Sequence, residues 1–310
     1  MRSSQSSLYA PIVVFGFNRP QHTSRLLESL SANPEIHNSP IYIFIDGPRN
    51  PADEEILKST LKVVEAFSES YKVRIYTSSV NKGLVRSIKD GVNEVFKQYE
   101  SIIVLEDDLI LSENFLEFIN RGLDNYKNNT MIASIQGYTV IDLEKNDHTY
   151  FQLGADCWGW ATWRDRWLEV NWNADEALTE LKKKKMQKKF DLNGAYPYTK
   201  MLERCSRGEV ESWAIRWHAS MFNLGKLSVY PPRKLVINTG RDGSGTHKGD
   251  NVKQNEYFTN RPITFSKDEP KESQLINWRI RRELRKRYKT HTLLSYKKYL
   301  NFVKRKIEPN

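Results

Sequence analysis

Short apolar runs that stop abruptly in polar residues constrain this chain more than any other feature. Residues 11–17 read Pro-Ile-Val-Val-Phe-Gly-Phe and break into Asn18-Arg19-Pro20. Residues 41–45 read Ile-Tyr-Ile-Phe-Ile and break into Asp46-Gly47-Pro48. Residues 102–105 read Ile-Ile-Val-Leu and break into Glu106-Asp107-Asp108. A run without alternation suits a strand covered on both faces. Between these runs the apolar residues take helical spacing: Leu26, Leu27 and Leu30 after Pro20, which fits a first helical position; Ile56, Leu57, Leu61, Val64 and Phe67; and Leu84, Val85, Ile88, Val92, Val95 and Phe96. Val73 to Tyr76 predicts a third strand, and Ser112 the N-cap of a helix carrying Phe115, Leu116, Ile119 and Leu123. Strands alternating with helices predict a mostly parallel, Rossmann-like α/β sheet flanked by helices. In such sheets ligands bind beyond the carboxyl ends of the strands, where these polar endings collect.

Beyond residue 130 the alternation weakens, although Met131 to Ile135 reads as one more strand. Five of the eight tryptophans fall between Trp158 and Trp172. Trp160, Trp163 and Trp167 have helical spacing and read as core. Lys-rich residues 182–189 read as a solvated helix face, and residues 209–224 as a helix. Residues 238–251, with four glycines, read as a functional loop. Cys157 and Cys205 form no Cys-x-x-Cys pair and read as free thiols.

The net charge of +10 is unevenly placed. Residues 271–310 hold 13 Lys and Arg against 3 Asp and Glu, and the other 270 residues hold 35 of each. A balanced body argues against a nucleic-acid footprint and for a tail drawn to an anionic surface. Within the tail, Ile276, Ile280, Leu284 and Tyr288 make one amphipathic stripe, and Leu293, Tyr296, Leu300, Val303 and Ile307 another. No run is long enough to cross a bilayer and no leader-like apolar segment opens the sequence. The expected location is the cytoplasm, with the tail either attached peripherally to the inner face of the membrane or packed on the body as a helix pair with its basic face solvated.

Glu106, Asp107 and Asp108 repel one another unless a cation offsets them or water solvates them. Their oxygens suit Mn²⁺ or Mg²⁺, which would stabilise a departing diphosphate; a solvated turn remains an open reading. Asp46 suits either contact with a nucleotide or simple Asp-Gly turn chemistry. Asn18, Arg19, Lys82 and Arg86 lie where phosphates meet helix N-termini, or else face solvent.

The ordered set running from Pro11 through Asn18-Arg19-Pro20, Ile45-Asp46-Gly47, Asn81-Lys82-Gly83-Leu84 and Val104-Leu105-Glu106-Asp107-Asp108-Leu109 resembles the GT-A fold nucleotide-sugar glycosyltransferases. It is most like the N-acetylglucosaminyltransferase I-like branch and bacterial sugar transferases related to family 2. The resemblance covers residues 10–135. It loosens over 150–250, where Cys157-Trp158-Gly159-Trp160 and Glu211-Ser212-Trp213 are similar to acceptor-side segments, and it omits the tail. It implies Asp108 as metal ligand, joined by His247 from the late loop. It places Asp107 and Glu106 at the ribose and the metal's water shell, Asp46 at the base, and Arg19 near the base or diphosphate. Trp158, Gly159 and Trp213 fall on the acceptor side. The catalytic base of the branch lies in an acidic pair before a tryptophan; only one acid of that pair is present here, making Glu211 the candidate and Asp156 the second.

The resulting expectation is a donor half over 1–135, an acceptor half over 136–270 and a basic helical tail over 271–310. Its activity would be metal-dependent, inverting hexosyl or N-acetylhexosaminyl transfer from a nucleoside-diphosphate sugar to a glycan or lipid-linked acceptor, in surface polysaccharide synthesis. The rivals are a sugar-phosphate nucleotidyltransferase, which typically needs a glycine-rich loop after the first strand where this chain has only Gly16, and a non-catalytic carbohydrate-binding protein.

Overall fold

The apolar runs pair side by side because each must be covered on both faces. The computed structural model describes residues 9–143, 146–240, 242, 258–259 and 261–287. Strands β1 (Ile12–Gly16), β2 (Ile41–Ile45), β3 (Val73–Thr77) and β4 (Ser101–Glu106) are parallel, in the order β3-β2-β1-β4. Gly16 is level with Ile45 and Phe15 with Glu106, so the residues after all three strands emerge on one edge. Helices α1 (Pro20–Ser31), α2 (Glu54–Ser68) and α4 (Phe115–Tyr126) cover one face, packing on Val14, Ile43, Ile103 and Leu105. Helix α3 (Leu84–Phe96) covers the other, against Val13, Tyr42 and Val104. The helix predicted to start at Ser112 is instead preceded by Asn114 in the cap position. The Ser112 hydroxyl donates to Asn114 Oδ1 (2.8 Å) and its carbonyl accepts from Phe115 N (3.1 Å).

After β4 the chain turns through Asp107-Asp108 into short β5 (Leu109–Leu111), then α4 and β6 (Ile132–Gln136). The weakened alternation beyond residue 130 has a topological cause: two antiparallel strands enter the sheet. These are β7 (Tyr150–Leu153) and β8 (Trp160–Trp163); with β9 (Leu227–Tyr230) they complete the order β3-β2-β1-β4-β8-β6-β9-β7. One sheet therefore runs through both halves of the chain. Strand β10 (Val236–Asn238) pairs antiparallel with β5 and brings Thr239 onto the Asp108 carbonyl just past the end of β4.

The tryptophans at 160, 163 and 167 are buried, as their spacing suggested, but on different elements. Trp160 and Trp163 lie on β8, and Trp167 on α5 (Arg164–Leu168). Trp160 stacks on Trp167 (5.8 Å) and meets Trp213 (5.5 Å) and Trp217 (5.3 Å) of α9, whose range is Trp213–Asn223. Burying each such ring contributes about 2–3 kcal/mol, which fixes α9 against the second face of the sheet. Ser212 caps α9, accepting from Ile215 N at 3.4 Å. Helices α6 (Ala174–Lys183), α7 (Gln187–Phe190) and α8 (Tyr198–Ser206) build a small satellite core with α9.

His218 of α9 is wedged between Phe190, Tyr198 and the backbone of Gly154 and Ala155. Burial pushes its pKa down to about 4, with a hydrogen bond to Ala155 opposing the shift. The unfolded chain, with an ordinary histidine pKa near 6.5, then binds the extra proton first. This contribution is complete above pH 6.5 and is lost as the pH falls toward 4. Stability measured by urea unfolding is expected to drop by about 2–3 kcal/mol between pH 7 and 4.5 from this group alone. His218→Gln should flatten that part of the profile, and an unchanged slope would show that His218 is not the group responsible.

The end of the described chain is fastened to the body. Phe265 stacks on Phe118 (5.1 Å), and Thr149 N donates to Thr264 O (3.0 Å). A last helix, α10, spans 274–287 and buries Ile276 and Ile280 against Ile141, Leu143, Tyr150 and Tyr230. Of its predicted apolar stripe, Ile276, Ile280 and Leu284 thus pack inside the fold, and Tyr288 lies outside the described residues. The second stripe, from Leu293 to Ile307, lies outside the described residues. No helix among the described residues is long and apolar enough to cross a membrane.

Candidate functional site

The carboxyl edge of β1, β2 and β4 brings together the polar residues that ended each apolar run. Asp107 is 2% exposed, and its backbone N–H donates to Phe15 O (3.0 Å). Its carboxylate accepts from Arg19 Nε (3.3 Å), from a second Arg19 nitrogen and from Phe17 N (3.4 Å). Arg19 also reaches Asp108 Oδ2 (3.3 Å), and Asn238 Nδ2 donates to Asp108 Oδ1 (3.1 Å). Arg19, expected near a base or diphosphate, here bridges two of the acids.

Burial is the main reason that the Glu106 carboxyl is pushed up to about 8, reinforced by its two acidic neighbours. The Trp213 indole N–H donates to it and works the other way. Asp107 is raised to about 6, again by burial first, with Arg19 pulling it back. Three carboxylates facing one guanidinium leave two negative charges uncompensated when all three are ionised. Charge and donor type therefore both fit a hard divalent cation. Among the described residues, however, no three His, Cys, Asp or Glu side chains are already arranged as a metal cage. His247 lies outside the described residues.

The first residues of the late loop, Asn238 to Gly240, clasp Asp108; residues 241 and 243–251 of that loop lie outside the described residues. Thr239 donates to the Asp108 carbonyl through its N–H (2.7 Å) and hydroxyl (3.0 Å). Gly240 lies so near that a Cβ there would strike Asp108 Oδ2. Asp242 meets His22 of α1 at 3.1 Å.

Asp46 engages the turn and loop beside it. Oδ1 accepts from Gly47 N (2.9 Å) and Lys82 N (2.8 Å); Oδ2 accepts from Asn81 Nδ2 (3.1 Å) and Gly83 N (2.9 Å). Two donors on each oxygen use the carboxylate's full accepting capacity, and Asp46 thereby pins the loop between β3 and α3. Gly47 admits the Val80 backbone, which any Cβ would strike. Depressions of about 200 and 230 Å³ flank Asp46, one against Leu57 and Leu61, the other against Phe44 and Tyr76. Neither includes the acid triplet. Lys82 and Arg86 are exposed on the rim, Arg86 paired with Asp90 at 3.5 Å. Asn18 donates to Asp53 Oδ1 (2.6 Å), which Arg49 also holds.

On the acceptor side the two candidate bases separate. Glu211 is exposed and paired with Arg216 at 3.4 Å. Asp156 is half-buried, its pKa raised by burial, with Oδ1 accepting from Cys157 N (2.7 Å). The Cys157 thiol is pushed well up, first by burial and then by the fields of Asp156, Glu106 and Asp108. Cys157 therefore lies within reach of both the Asp156 charge and the acid triplet. Tyr198 and Tyr230, both pushed up first by burial, feel the same Asp156 charge; no spacing pattern had marked them.

Trp158 is half-buried, edge-on to Tyr138 at 4.5 Å. Trp213 is 2% exposed and supports Glu106 from beneath, so it offers no open face for stacking a sugar. Gly159 is buried with φ +63°, and a Cβ would meet Val236 Cγ2 at 2.7 Å; packing and backbone conformation account for it without an acceptor.

The family model described as glycosyl transferase family 2 matches residues 12–192, more than half of the chain. No curated protein matches. Among solved structures, residues 1–349 of TarS from S. aureus align at 13% identity with a TM-score of 0.42, covering 74% of this chain and 61% of that one. HddC from Yersinia pseudotuberculosis aligns at 14% identity with a TM-score of 0.29, covering 47% of this chain and 60% of that one. Each alignment thus spans about three-fifths of the solved chain.

Proposed function

Because the chain belongs to glycosyl transferase family 2, it is a glycosyltransferase, and we propose that it moves a sugar from a nucleoside diphosphate to an acceptor hydroxyl with inversion, using Asp156 as the base. The observation that carries this reading is that the charges of Asp156, Glu106 and Asp108 all act on the one Cys157 thiol, which puts the half-buried Asp156 carboxylate in the neighbourhood of the acid cluster. A cluster with excess negative charge suits the diphosphate end of the donor once a cation is present, and a neighbouring carboxylate of raised pKa suits proton removal.

In this mechanism the base of the donor rests against the 81–83 loop that Asp46 holds in place. Asp108 would hold a divalent cation, with Asp107 and Glu106 behind it, and the cation would supply charge stabilisation for the departing nucleoside diphosphate. Arg19, anchored on Asp107, turns its remaining N–H groups toward the phosphates. Trp158 packs on the apolar face of the acceptor sugar. As the acceptor oxygen attacks the anomeric carbon, Asp156 takes its proton and the bond from that carbon to the phosphate oxygen breaks. The acceptor would be a glycan or lipid-linked saccharide of a surface polysaccharide, and the transferred unit a hexosyl or N-acetylhexosaminyl group.

Incubation with a panel of nucleoside-diphosphate sugars and Mn²⁺ or Mg²⁺, followed by product masses, tests this. The expected products are free nucleoside diphosphate and an acceptor heavier by one sugar residue. Pyrophosphate with a new nucleotide-sugar would identify nucleotidyl transfer, and sugar binding without turnover would identify a carbohydrate-binding protein; either overturns the reading.

A further inference from the structure

The inward side of α10 is occupied by Ile276 and Ile280, which pack on the body. Its outward side is of a different kind. Leu275 is 61% exposed and Trp278 50% exposed. Around them stand Arg279, Arg282, Arg285 and Lys286, all exposed. At 3.6 residues per turn these six side chains fall within an arc of about 120°, and no acidic residue shares it. Glu283 lies on the flank, where it pairs with Arg287 (3.2 Å) and Lys286 (3.6 Å). The Arg282 guanidinium lies over the Trp278 ring at 5.4 Å.

A tryptophan and a leucine left in water amid cations are matched by the headgroup region of an anionic bilayer. There the rings enter the interface and the cations meet lipid phosphates. Two apolar side chains are too small a patch for a stable contact with a second copy, and the cluster's single sign of charge opposes self-association. The sequence beyond α10, residues 288–310, adds six Lys and Arg against one acid.

We propose that α10 docks the protein on an anionic membrane through the Leu275–Trp278 face, which presents the acceptor side to substrates held at that surface. The same helix is tied to the acceptor-side aromatics: Arg287 donates to the Tyr138 hydroxyl (3.0 Å) and the Val140 carbonyl (3.2 Å), and Tyr138 packs edge-on to Trp158. The choice of acceptor rests on the glycosyltransferase mechanism above; the docking itself does not.

The full chain is sedimented with vesicles of about 30% phosphatidylserine in phosphatidylcholine, and with pure phosphatidylcholine. Wild type is expected to pellet with the anionic vesicles and to be released by salt. The double variant Leu275→Ser, Trp278→Ser should lower binding about tenfold, as should Arg279→Glu with Arg282→Glu. Both pairs are exposed, so circular dichroism and solution turnover should stay at wild-type values. Wild-type pelleting by the double variants, or equal binding to neutral vesicles, overturns the proposal. So does a change in oligomeric state without a change in pelleting, which would mark the face as a protein contact. Sedimentation requires no donor, so its failure is distinguishable from failure of the catalytic reading.

Discussion

Asp156→Asn is expected to lower turnover by about 10²- to 10⁴-fold, the range for loss of a general base, while leaving the KM for donor near its original value. The substitution keeps the oxygen that accepts from Cys157 N, so the local backbone has no reason to move, and a thermal melt should confirm an intact fold. Glu211→Gln provides the contrast. Its side chain is solvated and loses only a surface pairing with Arg216, and such pairs contribute little; turnover should stay within about threefold. A reversed pattern, with Glu211→Gln inactive and Asp156→Asn active, would assign the base to the residue before Ser212 and require the loop ahead of α9 to move inward when substrate binds.

Asp108→Asn is expected to cost about a thousandfold or more in transfer, on the order of the several kcal/mol that charge stabilisation of a leaving diphosphate supplies. The amide still offers its oxygen to Asn238 Nδ2 and retains the main-chain contacts from Thr239. Removing one of three mutually repelling acids should not destabilise the resting protein. A second readout is independent of turnover: nucleoside diphosphate with Mn²⁺ should raise the melting temperature of the wild type and leave the variant unmoved, because only a ligand that binds the folded form shifts it. Full activity together with an undiminished melting shift would remove Asp108 from the metal and donor site.

The strands of the donor half were legible because burial on both faces writes itself into consecutive residues. Ile41–Ile45 is buried nearly throughout and reads so in the sequence. The ordered polar endings led to the same family that the match over 12–192 identifies. The acceptor half was less legible. Trp160 and Trp163 keep helical spacing yet lie on one strand, since a strand buried on both faces places no periodic demand on its residues.

What the sequence determined by itself is therefore local: where strands begin and end, which residues leave them, and that the basic excess lies in the tail. Tertiary structure decided what those residues do, because hydrogen-bond and ion-pair partners come from distant parts of the chain. Asp46 is saturated by donors 35 to 37 positions away, Asp108 is held by Asn238 across 130 positions, and Arg287 reaches Tyr138 across 149. A carboxylate's charge state, and hence its chemistry, depends on its burial and its neighbours. For that reason Glu211 and Asp156, both acids in the sequence, are a solvated surface group and a half-buried one only after the chain has folded.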